Sequence, residues 1–171
     1  MIVVKAPDPR LRIKTKPVKK INSSLVNSLK QMIKLTKTFK DPEGVGLAST
    51  QIGLEERFFV LKNNKKFISV INPKILFTGK RTKKYFEGCL STPNTWGEVK
   101  RYTRIKVSYQ DQAGKLIKAS LKGILAWIFQ HEIDHLDGIL FQDRVLEQKG
   151  KFYKYTGKDK TGTDTFEEVT L

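Results

Sequence analysis

Both histidines of the chain fall in one pentapeptide, His131-Glu-Ile-Asp-His135, set in an apolar stretch that reads as a helix. Residues four apart on an α-helix share a face one turn apart, so His131 and His135 can direct two imidazoles at one metal ion. The preceding turns of that face carry Ile124 and Ile128 beside Trp127, which predicts that the face is buried. The plainer alternative is an ordinary helix with one histidine satisfied in the core and the other solvated. Against it, two unpartnered buried imidazoles would be costly.

The pentapeptide has the form H-E-x-x-H, in which the glutamate stands beside the metal-binding face without being a ligand. Glu132 is thereby placed as general base and then general acid for a water activated by the metal. A mononuclear catalytic site takes three protein ligands, and no histidine is left. The metzincin pattern requires a third histidine where Phe141 stands. Glu147, Glu167 and Glu168 lie downstream, outside a convincing helix. Cys89, in Glu87-Gly-Cys-Leu-Ser91, is the remaining strong donor, with Gly88 allowing close backbone approach. A buried inert thiol is the competing reading for Cys89; the need of the histidine pair for a third ligand favours the metal.

Elsewhere, Leu25, Leu29, Met32, Ile33 and more weakly Thr36 recur at helical spacing, predicting an amphipathic surface helix from Ser23 to Phe39 capped by Ser23 or Ser24. Asp41-Pro-Glu-Gly stops it and opens a loop, GVGLASTQIG. Strands are predicted at Arg57 to Lys62, Phe67 to Phe77, Glu98 to Gln110 and Lys115 to Ala119. Ser120 caps the histidine helix, which runs to about Leu136 with Gly138 as its stop. The Lys- and Thr-rich tail after Val145 reads as irregular or strand-like. The fold class is α+β: antiparallel sheets around a central metal-binding helix, with an N-terminal amphipathic helix, in a single domain, 1–171.

Composition narrows the function classes. No apolar run approaches the roughly 20 residues of a membrane span, and the N-terminus lacks the pattern of a secretory signal, so a soluble protein is expected. One cysteine excludes an intrachain disulfide. The formal net charge of +16 would draw the chain toward polyanions. Its lysines are scattered without an RNA-binding signature, so weak, salt-sensitive RNA association is expected rather than base-specific reading.

Three segments together, Gly44 to Gly53 (GVGLASTQIG), Glu87 to Ser91 (EGCLS) and Gln130 to Phe141 (QHEIDHLDGILF), resemble the motifs of peptide deformylase in order and spacing. The start, IVVKAPDPRLR, also resembles that family, so the likeness runs from residue 2 to about Val145, leaving 146–171 as an extension. The resemblance implies metal ligands Cys89, His131 and His135, the catalytic carboxylate Glu132, and a formyl-oxygen site made by Gln51 and the backbone amide of Leu90. It implies hydrolysis of the N-formyl group from the initiator methionine of nascent polypeptides, releasing formate. The methionine side chain would enter an apolar pocket lined by Val45, Gly46, Tyr85, Gly88, Ile124, Trp127 and Ile128. One divalent ion is implied, Fe²⁺ in the cell with Zn²⁺ or Ni²⁺ as substitutes, in a monomer of a bacterial-type cytoplasm or an organelle, without membrane association.

Two departures from the family stand out. Ser49-Thr50 replaces the common Ala-Pro before Gln51, which predicts a less rigid loop, and the tail lacks the amphipathic helix used at the ribosome. The +16 charge would supply a weak electrostatic association with ribosome or RNA instead. Two rival readings remain open on the residues: a metallopeptidase of the H-E-x-x-H type with an acidic third ligand, and a basic RNA- or ribosome-binding protein with a structural metal.

Overall fold

Arg57 to Phe77 folds back on itself through Asn64 and Lys65, with Asn64 at φ 53°, the left-handed conformation that tight hairpin turns require. Around this hairpin the computed structural model describes residues 1–40 and 43–169. In chain order its elements are α1 (Ser23–Thr36), β1 (Gly46–Ala48), β2 (Phe58–Asn63), β3 (Lys66–Thr78), β4 (Thr82–Cys89), β5 (Thr92–Tyr102), β6 (Arg104–Gln110), β7 (Leu116–Lys122), α2 (Gly123–Leu136), α3 (Phe141–Glu147), β8 (Phe152–Lys158) and β9 (Asp164–Val169). The strands form two antiparallel sheets, ordered β1-β2-β3-β6-β7 and β4-β5-β8-β9.

Alternation along β2 sorts the core onto two faces of the first sheet. Phe59 and Leu61 pack with Val70, Ile105 and Val107 against Ala126, Phe129, Ile133 and Leu136 of α2. Phe58 and Val60 pack with Leu47 and Ile71 against Leu25, Leu29 and Met32 of α1. The sheet therefore lies between the two helices, and α2 is held with its histidine-bearing turns facing the second sheet.

Several boundaries differ from expectation. Asn22, not Ser23 or Ser24, caps α1 by accepting from the Leu25 amide at 2.9 Å, and the helix ends at Thr36, short of Phe39. The run Glu98 to Gln110 is two strands, broken at Thr103 and assigned to different sheets. Ser120 does not cap α2; it lies in β7 opposite Lys106, and the helix starts at Gly123. The glycine segment holds the short strand β1 and a 3-10 turn, Ser49–Ile52, rather than only loop. Asp41 and Pro42 of the expected helix stop lie outside the described residues. The tail, expected to be irregular or strand-like, forms the β8–β9 hairpin. The short α3 went unread because seven residues carry too little periodicity.

The N-terminal segment is tied to the sheet by Asn72, which sits at φ 51°. Its carboxamide accepts from the Val18 amide at 2.8 Å and donates to the Val18 carbonyl at 2.9 Å and to Gln110 Oε1 at 3.1 Å. Asn72→Ala removes all three bonds and puts alanine, which tolerates the left-handed region less well than asparagine, at φ 51°. The expected loss is about 1–3 kcal/mol in urea unfolding; a midpoint unchanged from wild type would contradict this role.

Candidate active site

The second sheet delivers Cys89 to the histidine face of α2. β4 pairs with β5 in regular register until a shift between Gly88 and Cys89, which turns the thiol toward the helix. The ligand atoms of Cys89, His131 and His135 all lie within 4.8 Å of one another, with Cys89 Sγ 3.1 Å from His135 Nε2. These are separations suited to ligands on one small cation.

A third element, the 3-10 turn after β1, brings Gln51 against the same sulfur. Its Nε2 donates to Cys89 Sγ at 3.3 Å and to Ser91 Oγ at 3.1 Å, while its Oε1 accepts from the Ala48 amide at 2.9 Å. The Ser49-Thr50 pair that departs from Ala-Pro is wholly buried and hydrogen-bonded. Ser49 Oγ donates to the Glu56 carbonyl at 2.5 Å and Thr50 Oγ1 to the His135 carbonyl at 3.2 Å. Two hydroxyls thus anchor the turn where proline rigidity is missing, and one of them ties it to the metal-facing end of α2.

Behind the triad lies a buried ionic network. Glu87, fully buried, accepts from Arg101 Nε and Nη2 at 2.7 and 2.9 Å and from Trp127 Nε1 at 2.8 Å, and its Oε2 is 2.9 Å from His131 Nδ1. Arg101 Nη1 also donates to Asp134 Oδ2 at 2.5 Å, and Arg144 Nη2 donates to Asp134 Oδ1 at 2.7 Å. Burial pushes Glu87 up, but Arg101 and His131 outweigh it and hold the carboxyl at about 2. Its carboxylate fixes the His131 ring with Nε2 left for the cluster.

Burial likewise opposes charge on the cluster itself, yet His135 and His131 hold the Cys89 thiol well below its ordinary range. Against the same burial penalty, Cys89 and Glu87 hold His131 well above the usual imidazole value. Two anions that favour a proton at this imidazole equally favour a metal cation there, which takes the proton's place. The donor set and its charge therefore fit a single divalent ion.

Glu132 stands beside the triad, 3% exposed. Burial raises its carboxyl to about 7, with the two histidines pulling the other way. Its Oε2 is buried without a hydrogen-bond partner among the described residues. Gly46 is needed here, because a β-carbon at that position would land on the Glu132 carboxylate.

The cluster opens on an apolar cavity of about 280 Å³. Of the residues named for the methionine pocket, Val45, Gly46, Gly88, Ile124, Trp127 and Ile128 line this cavity, together with Gln51, Cys89, Leu90, His131 and Glu132. Tyr85 does not; its ring stacks on Trp127 at 4.7 Å, outside the cavity wall. Ile124 is 64% exposed, so the start of the helix face is a rim rather than buried core. Sequence reading missed Glu43, Phe86 and Trp96, which complete the wall. Strand alternation explains the exchange: Phe86 and Gly88 face the cavity, while Tyr85 and Glu87 face Trp127. Gly88 also cannot carry a side chain, since a β-carbon would lie 2.8 Å from the Trp96 ring.

Comparison with known proteins gives a consistent likeness. The model of the family described as polypeptide deformylase matches residues 1–151. The peptide deformylase of Thermotoga maritima is 42% identical over 142 residues, 83% of this chain and 85% of that protein. Its crystal structure superposes with a TM-score of 0.78, covering 83% of this chain and 95% of that one. A peptide deformylase from Synechococcus elongatus in complex with actinonin is 35% identical with a TM-score of 0.77, over 83% of this chain and 76% of that one.

Proposed function

The chain belongs to the polypeptide deformylase family, and from that premise we propose that it deformylates nascent peptides at the Cys89, His131 and His135 cluster. It is a metal-dependent hydrolase that removes the N-formyl group from formyl-methionyl nascent polypeptides and releases formate. The observation that carries the assignment of residues is the meeting of three metal-ligand side chains with a buried carboxylate, Glu132, whose Oε2 has no hydrogen-bond partner among the described residues, beside an apolar cavity.

A divalent ion bound by Cys89, His131 and His135 supplies Lewis acidity, lowering the pKa of water and polarising a carbonyl oxygen. The protein's own groups do the rest. The apolar cavity takes the unbranched methionine side chain and so sets the formyl carbon beside the cluster. Glu132 accepts a proton from the attacking water and, as the formyl C–N bond breaks, delivers it to the leaving nitrogen. Gln51 Nε2 and the Leu90 amide donate to the formyl oxygen as it gains charge. The products are formate and a peptide with a free amine.

A mixed set of two imidazoles and one thiolate suits Fe²⁺, Ni²⁺ and Zn²⁺, and we assign Fe²⁺ to the cell. The +16 charge supports a weak electrostatic association with the ribosome, and no described helix is long and apolar enough to cross a membrane. We assign the protein, as a single catalytic domain and a monomer, to a bacterial-type cytoplasm.

The deciding assay compares formyl-Met-Ala-Ser with its unformylated counterpart, using protein loaded anaerobically with Fe²⁺. Formate from the first and no cleavage of the second is the expected result. Cleavage of internal bonds in the unformylated peptide would favour a metallopeptidase.

A further inference from the structure

The strands β3, β6 and β7 contain no aspartate or glutamate, and their antiparallel register gathers onto one face cations that are scattered in the sequence. Directly paired residues point to the same side of a sheet, and so do alternate residues along a strand. Ile75, Val107 and Ala119 share the side packed on α2. Three rungs point the other way: Lys74–Ser108–Lys118, Phe77–Lys106–Ser120 and Arg104–Lys122. All of these residues are exposed except Ser108, which is half-buried.

Lys74, Arg104, Lys106, Lys118 and Lys122 have no acidic partner among the described residues. Lys122 is the most costly of them. It stands directly opposite Arg104, a like-charge cross-strand pair that destabilises the sheet. It is also the N-cap of α2, where the helix dipole disfavours a cation, and its side chain makes no capping bond there. No described residue offsets either cost, so the arrangement fits an anion supplied from outside the chain.

In the middle rung the Phe77 ring is 53% exposed, with Lys106 Nζ 5.9 Å from its centroid. A solvent-facing ring among cations and hydroxyls matches single-stranded RNA, whose phosphates meet the cations and whose unstacked bases can lie on the ring. A duplex keeps its bases stacked, and an anionic bilayer has no planar group to place there. The face ends beside the candidate active site, since Lys122 is two residues before Ile124 on the rim of the methionine cavity.

We propose that the outer face of β3, β6 and β7 binds single-stranded RNA, with Lys74, Arg104, Lys106, Lys118 and Lys122 on its phosphates and Phe77 under a base. The inference gives the weak association with the ribosome a location, and it rests on the deformylase reading, which brings the enzyme to nascent chains.

The test is fluorescence anisotropy of a fluorescein-labelled, hairpin-free single-stranded RNA titrated with the full chain at about 50 to 200 mM salt. Contacts to phosphate by all five cations, at about 0.7 each, give wild type a slope of about −3 to −4 in log affinity against log salt. Lys106→Gln/Lys118→Gln/Lys122→Gln should reduce the slope by about 2 and weaken binding about tenfold or more at the lowest salt. Its urea midpoint should be no lower than that of wild type, because the opposition of Arg104 and Lys122 is relieved. Lys30→Gln/Lys34→Gln/Lys160→Gln removes as many exposed charges elsewhere; it should keep the slope and an affinity within about threefold of wild type. Phe77→Ala should weaken the single strand about fivefold or more without changing the slope, and leave the affinity for a duplex of equal length unchanged. Equal losses in the two triple variants, a Phe77→Ala protein that binds single strands as wild type does, or tighter binding to phosphatidylserine vesicles than to RNA overturns the proposal. Formate release from formyl-Met-Ala-Ser, measured on the same proteins, should not differ among them. Its absence from all of them would count against the deformylase reading, while the anisotropy still decides whether this face binds RNA.

Discussion

Replacing Glu132 by glutamine is expected to lower kcat for formate release by about 10²- to 10⁴-fold while one metal ion per chain stays bound. The substitution preserves the shape that fits against Gly46 and removes only the capacity to accept a proton. Glu132 lies beside the ligand triad but outside it, so metal content and KM should change little. Glu43, the other carboxylate of the cavity lining, is exposed and paired with Lys62, so it is poorly placed to take over the proton transfer. The comparison is steady-state kinetics with metal analysis on both proteins. Full activity in the variant would remove Glu132 from the chemistry, and loss of metal in proportion to activity would make it a ligand instead.

Arg101→Met should destabilise the fold by about 3–5 kcal/mol, the effect expected when one member of a buried ionic network is deleted. Arg101 is 5% exposed and bridges Glu87 and Asp134, two carboxylates that are themselves buried. Methionine fills comparable space but leaves both acids facing each other with less compensation. Arg144 continues to serve Asp134; Glu87 is left with Trp127 and His131. Arg101→Lys keeps the charge and loses the fork that grips Glu87 with two nitrogens, so its loss should be smaller. Urea unfolding of the metal-free proteins measures the series without the stabilisation that bound metal adds. Equal stability of Arg101→Met and wild type would show that the network contributes orientation without net stabilisation.

What could be read from the sequence was local, and what could not depended on distant pairing. His131, Glu132 and His135 were legible because one helical turn fixes their relation. Cys89 followed from the need for a third ligand, and the three family-like segments located Gln51 and Leu90. Glu87 stands two residues before Cys89, yet its role was hidden: a carboxylate beside a thiol ordinarily reads as surface. Its burial depends on Arg101, which reaches it from the neighbouring strand. Tyr85 was named for the cavity wall where its neighbour Phe86 stands, because strand phase is not fixed by the sequence and a one-residue shift exchanges the two faces. The break at Thr103 was missed for a similar reason. Continuous β-propensity across Glu98 to Gln110 contains no sign that the chain passes from one sheet to the other. The tail was read as irregular or strand-like, but its place against the second sheet comes from aromatic packing on Phe86 and Trp96, which no local pattern encodes.

The most direct test of the central claim is X-ray absorption spectroscopy at the metal edge, on protein reconstituted with one divalent ion per chain. The site described here predicts one sulfur and two imidazole nitrogens, with the remaining coordination from oxygen, and loss of the sulfur scatterer together with tight binding in Cys89→Ala. A spectrum without sulfur, or a Cys89→Ala protein that binds the ion unchanged, would contradict the assignment of Cys89, His131 and His135 as the metal centre.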